Sequence, residues 1–247
     1  ADFYDYHFYC EPHHFDSLNC FFAPRWRQAQ PTLFGEYLDS DTFRDLRELA
    51  NIKGDLPCWT EDDVVSNPQG VRWEYNVVRQ LQRLEQAGLL ERSAEIKEVS
   101  YRQSAALRKL MLEKTRAHNE LSGYVITCIS DQPISTSGII DDLGRVKFSA
   151  SQMQAINADS ILFLDFDRRR TWVSGGDRPR SLDRYNHWGG GLLRCHLVLA
   201  AGPGCRGKVA AVWRLLSQTD EVLAEGEGSA TAEPGSNVLI CTVEADL

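Results

Sequence analysis

Long apolar runs are missing from this sequence. No stretch approaches the ~20 residues that a membrane-crossing helix needs, so no such helix is expected. An excess of positive charge is missing too: 27 Lys and Arg stand against 35 Asp and Glu, a formal net charge of -8, with a pI near 5.3. A surface of that sign repels phosphate backbones, so nucleic acid is not an expected partner. There is no CxxC and no close Cys/His pairing, so no zinc site is expected. The seven cysteines, Cys10, Cys20, Cys58, Cys128, Cys195, Cys205 and Cys241, are scattered and odd in number. That pattern fits free thiols in a reducing compartment, the cytoplasm. Internal repeats, low-complexity tracts and a secretory leader are not seen. An initiating Met is also lacking, and Ala1–Tyr9 already reads as a strand interior. A fragment, a processed subunit or a truncated reading frame is therefore expected.

What is present is the make-up of a folded protein. Over 247 residues, 43% are hydrophobic and 25% charged, enough for one large domain or two ordinary ones. Residues 4–10 (YDYHFYC) are rich in aromatics and read as a strand. Residues 11–31, punctuated by Pro12, Pro24 and Pro31, read as a long loop. Thr32–Glu36 (TLFGE) is a short apolar run ending in an acid, which suits a buried parallel strand. Asp41 is placed to cap a helix running to Leu49. Residues 71–87 put Val77, Val78, Leu81 and Leu84 on one face, and residues 98–118 do the same with Leu107, Leu110 and Met111; both read as amphipathic helices. A second buried strand is expected at Gly123–Ile129. Strands and helices thus alternate up to Phe148, which implies parallel strands with helices outside.

After Phe148 the texture changes. A short helix over 149–157 leads to short runs at Ile161–Phe166, Leu192–Leu199, Val209–Leu216, Glu221–Ala224 and Val238–Val243, some divided by the Gly/Pro clusters Gly202–Gly207 and Pro234–Gly235. This is the spacing of a β-sandwich. The expected fold class is α/β followed by all-β, with domains at 1–157 and 158–247. Three strands cannot close a barrel, and the last run reaches the C-terminus, so further sequence is expected at both ends.

Several residues are candidates for chemistry. Glu36 ends an apolar strand, the place where (β/α)8 barrels carry catalytic groups; its plain alternative is a pair with a nearby Arg. His7 and Tyr9 share one face of the first strand. A Tyr beside a carboxylate donates a hydrogen bond that favours the ionised form, whereas His7 also reads as an ordinary core histidine. Asp131 and Gln132 follow the strand at Gly123–Ile129 and fall on the same rim as Glu36 if the strands are parallel; the alternative is ordinary loop polarity. Glu11, His13, His14 and Asp16 are potential metal ligands, but their spacing fits a solvated loop better, and no metal is assigned. Trp172, Trp188 and Trp213 lie in the sandwich region. Trp213 reads as core, and Trp188 either stacks on a sugar or packs on the neighbouring domain. Arg168–Arg170 reads as a solvated or interdomain face.

The ordered set of strands resembles glycoside hydrolase family 2, which comprises β-galactosidases, β-glucuronidases and β-mannosidases. Asp5–Tyr9 (DYHFY) resembles the sixth barrel strand of that family. Pro31–Tyr37 (PTLFGEY) is similar to its seventh, which ends in the nucleophile Glu. Ser122–Thr127 through Asp131 is similar to the eighth, and Ser137–Asp141 with Gly144–Lys147 resembles the exit from the barrel. The blocks span roughly residues 4–157, and the tail is loosely similar to the immunoglobulin-like sandwich that often follows this barrel. Two departures stand out. Thr127 occupies a position where many members carry Trp, and residues 51–70 read as an insertion over the rim.

The resemblance implies a partial TIM barrel, strands 6–8, followed by an immunoglobulin-like β-sandwich. It implies a retaining β-glycosidase that uses no cofactor. Glu36 would be the nucleophile, supported by Tyr9, with His7, Asp131 and Gln132 binding sugar hydroxyls. Retaining enzymes use two carboxylates about 5–5.5 Å apart. The family's acid/base Glu follows an Asn on strand four, and no such strand precedes Asp5. The implied partners are a carbohydrate substrate and a missing N-terminal half or complementary subunit, with a homo-oligomer open. A non-catalytic carbohydrate-binding or scaffold protein is the alternative class.

Overall fold

The structure, a computed structural model, describes residues 2–26, 30–60, 65, 77–118, 121–166, 168–173, 176–181 and 186–247. The chain divides into two compact units, one of residues 1–115 and 120–156, the other of residues 116–119 and 157–247. Among the described residues, no helix is long and apolar enough to cross a membrane.

The first unit is built on three parallel strands in the order β1 (Tyr4–Phe8), β2 (Thr32–Tyr37) and β3 (Leu121–Ile126). The helices are α1 (Phe15–Trp26), α2 (Leu46–Lys53), α3 (Val77–Gln86), α4 (Ser93–Arg116) and α5 (Ala150–Ile156). Parallel strands need such crossovers, because a tight hairpin cannot return the chain to the same direction. One face of the sheet is covered: Phe8, Phe15, Phe34, Tyr37, Leu38, Met111 and Leu112 form a buried core drawn from β1, α1, β2 and α4. Phe8 stacks on Phe34 with ring centroids 4.7 Å apart, and Phe15 meets Phe8 edge-on at 5.5 Å. Full burial of each such ring is worth about 1.5–3 kcal/mol.

Three local readings are corrected here. Residues 11–31 are not one loop, because α1 occupies Phe15–Trp26. Phe15 is fully buried and Leu18, one turn on, packs against the same core, so tertiary burial outweighs the prolines; Pro12 precedes the helix, Pro31 follows it and Pro24 lies in its last turn. Asp41 is not the cap of α2. That cap is Asp45, whose carboxylate accepts the N–H groups of Arg47 and Glu48 at 3.1 Å each, while Asp41 accepts the N–H of Thr136 at 2.6 Å. The helix expected over 98–118 begins earlier, at Ser93. Of the helix expected over 71–87, residues 71–76 lie outside the described residues, as do 61–64 and 66–70 of the expected insertion.

The described elements of the second unit are all strands after the short stretch 157–160. They are β4 (Ile161–Asp165), β5 (Arg168–Val173), β6 (Gly176–Ser181), β7 (Leu192–Ala200), β8 (Gly207–Leu216), β9 (Val222–Ala232) and β10 (Asn237–Asp246). They form a three-stranded antiparallel sheet, β10-β7-β4, and the hairpins β5-β6 and β8-β9. Arg168–Arg170 lies in a paired strand; whether it forms a solvated or interdomain face, and the side chain of Trp172 in the same strand, fall outside what is described. The run at Glu221–Ala224 extends as β9 to Ala232, through glycines that read as breakers. Those glycines make room. A Cβ on Gly226 would lie 2.8 Å from the Trp213 ring, and one on Gly228 would lie 2.6 Å from both Cys241 Cβ and the Ile240 carbonyl oxygen. Cys195, Leu197 and Leu199 of β7, Ala232 of β9 and Ile240 and Val243 of β10 are buried together, with Val209, Ala211 and Trp213 of β8 packed against them. Alternate residues of the strands supply this core, as the period of two requires.

Because backbone stands over Gly228, Gly228→Ala is expected to destabilise the second unit by about 1–3 kcal/mol, read as a lower urea midpoint. An unchanged midpoint would show that β9 and β10 are not so closely packed.

Candidate functional site

The strands of the first unit run in one direction, so their C-terminal ends share one rim. On β1, alternation sends Tyr4, Tyr6 and Phe8 toward the helices, leaving Asp5, His7 and Tyr9 on the other face. On β2, strict alternation would put Glu36 on the same side as Phe34, against the helices. An irregularity prevents it. Tyr6 pairs with Phe34 but His7 with Glu36, and across the strand Phe34 pairs with Tyr124 but Tyr37 with Ile126. Between Phe34 and Tyr37, β2 thus carries one residue more than the facing stretch of either neighbour. The bulge lets both Phe34 and Tyr37 enter the core, each fully buried, and turns Gly35 and Glu36 to the open face. Redirecting a side chain is a known use of such a bulge. A Cβ on Gly35 would stand 1.9 Å from an Asp5 carboxylate oxygen, so the exposed Asp5 side chain would have to turn away.

The result brings His7 and Glu36 together, with Nδ1 2.5 Å from Oε2 and side chains 61% and 39% exposed. Tyr9 joins them. Its hydroxyl lies 3.2 Å from Thr127 Oγ1. Burial pushes the phenol up to about 12; the Thr127 bond opposes that rise, and the nearby Glu36 and Asp39 carboxylates add to it. Tyr9 therefore serves at neutral pH as an O–H donor and not as a base. Thr127, just past β3, ties the strand ends together: its N–H donates to the Tyr37 carbonyl at 2.8 Å, and its Oγ1 accepts the Tyr37 N–H at 2.9 Å.

Immediately after these residues both strands leave through left-handed backbone, at Leu38 (φ 71°) and Cys128 (φ 65°). Such a conformation costs a non-glycine residue roughly 1–2 kcal/mol. At Leu38 it is held from beneath. The guanidinium of Arg108, fully buried, donates to the carbonyls of Leu38 and Ser137 and lies 5.4 Å from the centre of the Phe148 ring.

Asp131 is placed differently from Glu36. Its side chain is 4% exposed and pairs with that of Lys147, 0% exposed, at 2.6 Å. It also accepts the Gly138 N–H at 3.0 Å, and Lys147 donates to Thr42 Oγ1 and the Thr136 carbonyl. Burial raises the carboxyl pKa of Asp131 and lowers the ammonium pKa of Lys147, each opposed by the other's charge. The pair thus fixes the loop behind the rim, which corrects the expectation of a rim residue open to sugar. Gln132 is exposed in a turn closed by its two backbone bonds to Ser135, and its carbonyl accepts from Arg44 at 2.5 Å.

His13 and His14 lie with ring centroids 3.9 Å apart, yet among the described residues no group of three or more His, Cys, Asp or Glu converges as a metal site. Two participants escaped the sequence reading. Asp5 has the parity of His7 and Tyr9, so alternation alone would find it. Thr127 reads only as a missing Trp, and its bonds to Tyr9 and Tyr37 depend on the strand ends being neighbours. No family model matches the chain, and no curated protein matches it. The likeness to glycoside hydrolase family 2 rests on the strand blocks themselves.

Loss of the Asp131 carboxylate would leave the Lys147 ammonium buried alone. Asp131→Asn should lower unfolding free energy by about 3–5 kcal/mol, and the Asp131→Leu/Lys147→Met double substitution by much less. Equal losses in denaturant titrations would refute the buried-pair account.

Proposed function

We propose that this chain supplies the nucleophile half of a retaining β-glycoside hydrolase of the family-2 type. In this reading the first unit is the last part of a TIM barrel, strands 6–8, and the second an immunoglobulin-like sandwich. The observation that carries it is the convergence of His7, Tyr9 and Glu36 at the C-terminal ends of neighbouring parallel strands, with His7 Nδ1 2.5 Å from the Glu36 carboxylate. That is the arrangement wanted in a carboxylate that attacks.

Glu36 attacks the anomeric carbon as the bond to the leaving oxygen breaks, forming a glycosyl ester. The leaving oxygen takes its proton from a second carboxylic acid, which then, as carboxylate, removes a proton from the water that cleaves the ester. The second carboxyl comes from a partner segment, an N-terminal half or a complementary subunit, that continues the parallel sheet. Among the described residues the face of β1 that carries Asp5, His7 and Tyr9 is exposed, whereas parallel sheets are normally covered on both faces. His7 binds a sugar hydroxyl. Asp131 serves from behind the rim through its loop.

A second reading is a non-catalytic carbohydrate-binding or scaffold protein. Thr127, standing where many family members carry Trp, favours it. Sugar binding without hydrolysis by the assembled protein would decide for it.

The 247-residue chain alone should show no useful turnover of an aryl β-glycoside, and strong turnover would overturn the divided site. In the assembled enzyme, Glu36→Gln should lower kcat by several orders of magnitude. A loss below ~10-fold would remove Glu36 as nucleophile.

A further inference from the structure

We infer that the exposed face of the sheet β10-β7-β4, with Trp188 at its end, is a binding surface for a neutral β-linked oligosaccharide. The inference rests on the proposed function only for the class of ligand, and Glu36 takes no part in it.

Cross-strand pairing sets out this face in rows, because residues directly opposite each other project to the same side. His196 of β7 stands opposite Asp165 of β4 and Thr242 of β10, and Arg194 stands opposite Glu244. Cys195 and Val243, between the two rows, are buried in the core behind, so by alternation the rows look outward. Asp165, Arg194, Thr242 and Glu244 are exposed, and His196 is half-buried. The rows are ordered by their own contacts. His196 Nδ1 lies 3.2 Å from Thr242 Oγ1, and Arg194 Nε lies 3.2 Å from Glu244 Oε1. An exposed ion pair of this kind adds little stability. What it offers is donors and acceptors on a rigid strand, with the two charges cancelling.

Trp188 reads from sequence as either a sugar platform or a packed residue. It is 91% exposed, so its apolar surface stands in water. It is nevertheless fixed in place. Its carbonyl accepts the N–H of Gly191 at 3.1 Å, closing a tight turn with Gly190 at φ 76°. The Gly190 N–H donates to the Leu247 carbonyl at 2.5 Å, and the Leu247 N–H donates to the Gly191 carbonyl at 2.9 Å. The turn thus continues the pairing of β7 with β10 past Leu192 and Asp246. On its other side His187 stacks on Phe166, just past β4, with ring centroids 6.0 Å apart. Gly189 has no comparable duty, since a Cβ there would meet nothing within 4 Å. Its lack of a side chain leaves the neighbouring indole bare.

A pyranose presents C–H groups on its ring faces and hydroxyls around its edge. The negative face of an indole attracts the C–H groups, and the planar side chains of Asp, Glu, Arg and His bind the hydroxyls. An aromatic surface beside a few ordered polar groups is the make-up of a small-ligand site. A protein partner fits less well, because a Trp that anchors a protein interface is ringed by contacts that exclude water, and Trp188 is followed by three glycines.

The probes are the β-linked oligosaccharides cellopentaose, mannopentaose and galactotetraose, titrated into the isotope-labelled full chain. The readout is NMR: the indole N–H of Trp188, assigned by its loss in Trp188→Phe, and the backbone amides of Arg194 and Glu244. At least one probe should move these resonances with a Kd of about 1 mM or tighter. Trp188→Ala should weaken that binding by about 10-fold or more, and Arg194→Met by about 3-fold or more. Glu36→Gln should leave it unchanged. No shift of the indole with any of the three probes would overturn the inference, a result that needs no variant. So would an affinity that Arg194→Met leaves unchanged. So would an indole line that broadens as the sugar-free chain is concentrated, which marks the face as a contact between protein molecules. The titration involves no turnover. A glycosidase reading that fails therefore leaves a positive result intact, and a negative result here leaves that reading to its own test.

Discussion

One extra residue in β2 decides which way the site faces. The strand must give two large aromatic side chains, Phe34 and Tyr37, to the helical core, and with an odd spacing regular alternation cannot satisfy both. The bulge resolves the conflict, and its by-product is Glu36 on the open face opposite His7. Core packing and site geometry are therefore one constraint. Tyr37 is the hinge of it: its hydroxyl donates to the Met111 carbonyl at 2.8 Å and meets Thr115 at 2.5 Å inside the core, while its backbone N–H reaches Thr127 on the rim.

The layer behind the rim is unusually charged for a buried region. Arg108 has no exposed surface, and one of its nitrogens, Nε, has no partner among the described residues. Asp131 and Lys147 are enclosed as a pair. Arg44 is forked onto Asp142, through Nε at 2.7 Å and Nη2 at 3.3 Å, and its guanidinium carbon lies 4.6 Å from the centre of a Trp59 ring. Well-packed hydrocarbon in such places is often about as stabilising. What the charged groups add is direction, because each binds particular carbonyls or carboxylates of the loops after β2 and β3. A site formed by loop residues needs that definition more than it needs stability.

Much of the first unit was legible because strands ending in polar residues, separated by helical periodicity, leave few topologies open. His7 and Tyr9 fell on one face by parity alone. The bulge was not legible, since nothing in TLFGEY marks which residue is extra until two neighbouring strands define the register. Asp131 misled because position after a strand does not reveal burial, and its partner Lys147 is 16 residues away in sequence, a gap only the fold closes. Helix α1 was hidden by its prolines. The β5-β6 hairpin was hidden by arginines that resemble a surface run. In the second unit, the glycines of β9 read as breaks because their purpose, admitting Trp213 and Cys241, belongs to another strand.

The separations between paired strands bear on how the rim assembles. His7 and Glu36 pair across 29 residues (36 − 7), whereas Thr32 and Leu121 pair across 89 (121 − 32). In loop-closure entropy the longer span costs only about 1 kcal/mol more than the shorter, so the connection carrying α2, α3 and α4 takes little from equilibrium stability. Its effect is on timing, because contacts distant in sequence form late. The His7–Glu36 half of the rim can close early, and β3 brings Thr127 afterwards. The pairing that sets the carboxylate against His7 spans less of the chain than the one that adds Thr127 to the rim.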